Sequence, residues 1–171
     1  MKTLDTHNIH EESGVQQYLT FVLGGKDYAL SIAGVKEIIE YRETTEVPMT
    51  PDFISGVINL RGCVVPVVDI CQRFIGRPTK HTKRTSIVIT EIASEDLQIE
   101  IGIIVDIVNE VLDIDSRDIE PAPKMGDQIQ TSFISGMAKV DGKFLILLNV
   151  EKVFSIEDLS LVGGMQEAIK S

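Results

Sequence analysis

Glu37 and Glu110 are the carboxylates of this 171-residue chain that most invite a chemical reading, because each closes a Val-x-Glu strand, Val35-Lys36-Glu37 and Val108-Asn109-Glu110. Two β lobes that each lend a carboxylate to a shared cleft can run acid and base chemistry between them, as aspartic proteases do. No Asp-Thr-Gly or Asp-Ser-Gly sequence occurs, however, and on alternating strands a solvated face is the simpler account of both charges. His7 and His10 fall in a polar N-terminal stretch and His81 in a basic loop, so no pair has a convincing metal-ligand spacing. There is no Gly-rich phosphate loop after a strand, no Gly-x-Ser-x-Gly elbow and no cysteine paired with a positioned histidine. A continuous strand from Cys63 to Cys71 would hold the two about 26 Å apart, well beyond the roughly 7 Å limit for disulfide Cα atoms. Both read as reduced thiols. Arg77, Lys80, Lys83 and Arg84 cluster in one segment, which reads more simply as a mobile charged loop than as an anion site. The inventory points to a chain with no catalysis, no metal and no cofactor, with a two-lobed β enzyme using paired carboxylates as the alternative.

The elements that carry these residues follow from patterning. Residues 1–14 are polar and aperiodic and read as a flexible tail. "QQYLTFVLGGKDYALSI" predicts a hairpin around Gly-Gly-Lys-Asp, "AGVKEIIEY" a short turn leading into a strand, and "SIVITEI", "LQIEIGIIVDIV" and "EVLDI" further strands. Residues 156–171 read as a short C-terminal helical segment, weakened by Gly163 and Gly164. The most informative feature is an internal repeat. "FISGVINLRGCVVPVVDI" from Phe53 lies on "FISGMAKVDGKFLILLNV" from Phe133 without a gap, and "VKEII" at Val35 matches "VNEVL" at Val108. Two similar β lobes are expected.

In the second copy Asp141-Gly142 stands where the first has Arg61-Gly62, and Asp-Gly between apolar runs is a strong signal for a two-residue hairpin turn. Arg61 is therefore placed on a hairpin tip, where its side chain reaches solvent and requires no buried partner. The implied register sets Leu60 opposite Cys63 and Val57 opposite Pro66, with the proline's missing N–H directed away from its hairpin partner, toward an edge or a bulge. "CVVPVVDI" and "IGIIVDIV" carry aliphatics at both parities, so each strand needs cover on both faces. The second cover is either the other lobe or another protein.

Composition bounds the function. The chain is 43% hydrophobic but only 5% aromatic and lacks Trp, so its core is built of Val, Ile and Leu, a mixture that favours strands. A net charge of −10 repels both phosphate backbones and anionic lipid surfaces, which argues against a nucleic-acid partner. The sequence contains neither a signal-peptide core nor an apolar run long enough to span a membrane, and reads as cytoplasmic.

At Val35-Lys36-Glu37-Ile38, Asn59-Leu60-Arg61-Gly62, Val65-Pro66-Val67-Val68-Asp69 and "GIIVDIVNEVL", the chain resembles the CheW family of bacterial chemotaxis coupling proteins, from about residue 15 to about residue 155. The resemblance implies an all-β fold of two similar five-stranded SH3-like barrels over 15–155. It also implies a non-enzymatic adaptor at receptor arrays on the inner membrane. Its partners would be the cytoplasmic tips of methyl-accepting chemotaxis receptors and the regulatory domain of the histidine kinase CheA; an adaptor of a parallel chemosensory pathway is the alternative. Carried over by position, Ile32, Val35, Ile38 and Val105 border a groove for a receptor helix. The resemblance likewise implies that Glu37, with the receptor set, and Arg61 are charged determinants of the coupling surface. By the same resemblance, Gly56, Asn59, Arg61 and Val64 are expected on the hairpin that approaches the kinase.

Overall fold

The structure is a computed structural model that describes residues 14–94, 97–121 and 134–150. The expected tail apart from Gly14, the C-terminal segment 156–171, His7, His10 and Phe133 lie outside the described residues.

Among the described residues eleven strands make two sheets. The first hairpin joins β1 (Val15–Leu23) to β2 (Lys26–Ser31) through Gly24 and Gly25, both at positive φ, where glycine carries no steric penalty. A 3₁₀ turn at Ile32–Gly34, capped by the Ser31 hydroxyl, leads into β3 (Val35–Glu40) as the patterning predicts. β4 (Ile54–Leu60) and β5 (Cys63–Asp69) form the second hairpin. After helix α1 (Ile70–Ile75) come β6 (Ser86–Ser94), β7 (Leu97–Val105), β8 (Ile107–Asp115), β9 (Ile119–Glu120), β10 (Ile134–Val140) and β11 (Lys143–Leu148).

The two-residue turns are as the repeat requires: φ is 54° and 85° at Arg61-Gly62, and 52° and 80° at Asp141-Gly142, with both central residues left-handed as a type I′ hairpin needs. Leu60 faces Cys63 and Val57 faces Pro66, the expected register. β5 is not an edge strand, because its other side pairs in parallel with β7. That ladder begins only at Val67, one residue beyond Pro66, so the missing N–H costs no ladder bond.

The lobes are not the two halves of the sequence. One sheet runs β8-β1-β2-β11-β10-β9 and the other β3-β6-β7-β5-β4. The leading hairpin β1–β2 thus joins strands of the second repeat, while β6–β7 joins β3, β4 and β5 of the first. In each sheet the last strand is met by the chain that continues from the first. β8 passes through a 3₁₀ turn at Ser116–Asp118 into β9, which pairs with β10; the segment after β3 reaches β4 through an isolated bridge between Thr45 and Val57. Counting each bent strand once, both lobes have five strands, as expected.

The Phe-Ile-Ser-Gly repeat has its physical reason at these closures. A Cβ on Gly56 would lie 2.3 Å from the Thr45 carbonyl oxygen, and one on Gly136 would lie 2.6 Å from Ile119 Cγ2. β4 and β10 each shift register at the preceding serine, a bulge that bends the strand toward its closing neighbour.

Three apolar clusters are formed among the described residues. Ile58, Leu60, Val65, Val67, Ile87, Ile89 and Ile104 form the core of the β3–β7 lobe, and Ala29, Ile114, Ala138, Leu145 and Leu147 that of the other. Between the lobes, Leu19, Phe21, Leu23 and Leu30 pack with Val68, Val88, Ile101, Ile103 and Val105. One parity of β5 and β7, with Val65, Val67 and Ile104, thus fills its own lobe's core, and the other, with Val68, Ile101, Ile103 and Val105, is covered by the second lobe. Each such side chain contributes roughly 1.5–3 kcal/mol on burial, so the two lobes are held as firmly as either core.

Candidate partner-binding surface

β3 alternates in exposure, with Val35, Glu37 and Ile39 half-buried and Lys36, Ile38 and Glu40 exposed. Ile39 packs on the core of its own lobe; Val35 and Ile32 pack against the inter-lobe cluster. Ile38 turns outward and is 42% exposed, an uncommon state for a large aliphatic in the middle of a strand. Lys36, at a register shift in the β3–β6 ladder, is bound to Glu100 of β7 and lies 3.6 Å from Glu91 of β6. Hydrogen bonding to Glu100 raises its pKa above the ordinary lysine value.

The seam between β3 and the β4–β5 hairpin is closed largely by side chains. Thr44 donates its hydroxyl to the Ser55 carbonyl at 3.1 Å, Thr45 and Val57 exchange backbone bonds, and Arg42 Nη1 donates to the Asn59 carbonyl at 3.2 Å. At the tip the Arg61 guanidinium makes a bidentate pair with Glu37, Nη1 to Oε1 at 2.7 Å and Nη2 to Oε2 at 2.5 Å. Arg61 is exposed, as a hairpin tip implies, yet it has a partner, which the hairpin argument did not supply. The two hydrogen bonds lower the Glu37 pKa and raise that of Arg61. Asn59 accepts the Gly62 N–H at 2.9 Å through Oδ1, which fixes the turn from within.

The residues expected in two separate sites therefore meet. Glu37, placed with the receptor set, is bonded to Arg61, placed with the kinase set, and Asn59 lies on the same seam. Val64 is half-buried beside the exposed Cys63. Two residues sit deeper than a contact surface: Val105 is fully buried in the inter-lobe cluster, and Gly56 is buried beneath Thr45. Arg42 was not singled out from the sequence, and it lies in an irregular segment with no periodic signal. Glu37 and Glu110 belong to different sheets. Glu37 is engaged by Arg61, whereas Glu110 lines a groove of about 500 Å³ with Val108, Asp141 and Phe144. Among the described residues no group of three or more His, Cys, Asp or Glu side chains could hold a metal ion, and no helix is long and apolar enough to cross a membrane.

The family model for the CheW-like domain matches residues 17–158. The chain is 33% identical over 153 residues to the chemotaxis protein CheW of Klebsiella aerogenes, covering 90% of each chain. It is 34% identical over 142 residues to that of Bacillus subtilis, covering 83% of this chain and 88% of the relative. Its fold superposes on the crystal structure of the scaffolding protein TtCheW from Thermoanaerobacter tengcongensis with a TM-score of 0.74 and 36% identity, over 84% of this chain and 90% of that one. Two interlaced β lobes and a match that runs through both of them place this chain in the CheW family.

Proposed function

We propose that this chain is a non-enzymatic chemotaxis adaptor that couples the cytoplasmic tips of methyl-accepting receptors to the regulatory domain of the histidine kinase CheA, at receptor arrays on the inner membrane. The observation that carries the reading is the extent of the likeness to CheW proteins, which spans both lobes rather than one barrel. The receptor surface is assigned to Ile32, Val35, Glu37 and Ile38, where the outward Ile38 gives an amphipathic helix an apolar anchor. The kinase surface is assigned to Asn59, Arg61 and Val64 on the hairpin. Val105 and Gly56 act from beneath, holding the lobe interface and the bent strand in shape. Because Glu37 and Arg61 are bonded, the two surfaces are contiguous, so a shift at one is felt at the other. Such an adaptor works by raising the effective concentration of kinase beside receptor, so that individually weak contacts become collectively strong. Co-sedimentation of CheA with receptor-containing membranes tests this reading. The kinase should pellet only when the adaptor is present, and pelleting unchanged by its omission would refute the role.

A further inference from the structure

The loop 77–84, which reads from the sequence as mobile charge, is held at three points in the fold. Asp69, buried at the start of α1, accepts the Thr79 N–H and hydroxyl, each at 2.8 Å. His81 stacks on Tyr41 with ring centroids 4.0 Å apart. Thr85, also buried, accepts the Thr82 N–H at 2.8 Å and its carbonyl takes the Tyr41 N–H at 3.0 Å. Between these anchors Arg77, Lys80, Lys83 and Arg84 are exposed, and among the described residues none of them has an ion-pair partner. On a chain of net charge −10 this is a cluster of cations without ion-pair partners, carried on an anchored loop.

A cleft of about 380 Å³ opens beside the loop, toward the β1–β2 turn of the other lobe. Arg77 and Lys80 line it together with the apolar surface of Cys71, Pro78 and Ile107. Asp106 lines it too, its carboxylate accepting the Gly24 N–H at 2.9 Å. Arg84 faces a second groove that also holds Asp27 and Asp141. Arg77, Lys80 and Arg84 thus share their grooves with carboxylates. A broad anionic plane such as a bilayer would press against those acids, whereas a narrow chain can enter between them. We propose that loop 77–84 is a docking site for an acidic segment of a partner protein, whose carboxylates meet Arg77 and Lys80 while an adjacent apolar side chain enters the cleft at Cys71, Pro78 and Ile107. The cleft shares no lining residue with the seam surface, and the proposal does not depend on the coupling role.

Fluorescence anisotropy with a labelled Glu-Glu-Leu-Glu-Glu peptide tests it on the full chain. Saturable binding that weakens with salt is expected, with at least about a tenfold loss in the combined Arg77→Gln, Lys80→Gln, Lys83→Gln and Arg84→Gln variant. That variant keeps Thr79, His81 and Thr85 and should retain the wild-type melting temperature; if it does not, Lys80→Gln alone should give a partial loss in a folded protein. Replacing the leucine of the peptide by serine should weaken binding further. Absence of saturable binding, equal binding by the variants, or preferential capture of phosphatidylglycerol vesicles over the peptide would overturn the proposal.

Discussion

Arg61 and Glu37 grip one another across the seam of a barrel, 24 residues apart in sequence, Glu37 on β3 and Arg61 on the turn after β4, the strands at the two ends of the sheet order. A hairpin tip that would otherwise swing freely is tied to β3. Reversing one charge, in Arg61→Glu, should produce a modest fall in melting temperature, because two carboxylates would then face each other at an exposed site. The exchanged pair Glu37→Arg with Arg61→Glu should recover that stability. If Arg61 also touches CheA, the exchanged protein should still fail in co-sedimentation; full recovery of both properties would reduce the pair to a structural clasp.

The two glycines of the β4–β5 hairpin should respond differently to alanine. Gly62 has open space around its Cβ position and only its φ of 85° to oppose substitution, whereas Gly56 combines φ 147° with a 2.3 Å approach to Thr45. Urea unfolding should give a loss of about 2–4 kcal/mol for Gly56→Ala and about 1 kcal/mol for Gly62→Ala. The reverse order would show that the closing bridge yields easily.

Ile38→Asp should leave the far-ultraviolet spectrum and melting temperature close to wild type, since the side chain already faces solvent. Receptor binding should weaken by more than about 1 kcal/mol as an apolar anchor is replaced by a charge. Val35→Asp should also lower stability, because Val35 packs against the inter-lobe cluster. Unchanged receptor affinity in a folded Ile38→Asp protein would remove β3 from that interface.

Asp115 caps the second 3₁₀ turn and is bonded to Arg117 by its backbone N–H, Nε and Nη2. The guanidinium holds its pKa down to about 2. A depressed carboxylate stabilises the fold above the unfolded value, near 3.9, and this contribution fades as pH falls from there toward about 2. Carboxyl chemical shifts followed by NMR should show Asp115 titrating at the bottom of that window, and Arg117→Gln should move its midpoint upward.

Much of this was legible where a local rule fixes geometry. Arg61-Gly62 and Asp141-Gly142 specify two-residue turns, and the turns fix the register through Pro66. The exchange of hairpins between repeats was not legible, because the match between copies begins only at Val35 and leaves out β1–β2 and β6–β7. The Glu37–Arg61 contact was equally hidden, since strands that meet only when a sheet curls carry no signal of it in their spacing. Val105 shows the limit of parity arguments: its apolar face required cover, and only the packing of the two lobes decides that the cover is internal.

Each barrel borrows its opening hairpin from the other repeat, so the chain has the geometry of a strand-exchanged dimer whose two copies have been fused end to end. Neither repeat can complete a barrel alone, and pulling β1–β2 out of one lobe also exposes the cluster that faces the other. The two barrels should therefore melt in a single transition. A strain applied to one side of such an interlocked body is carried by covalent chain through the other, which makes the molecule a stiff strut rather than two beads on a string.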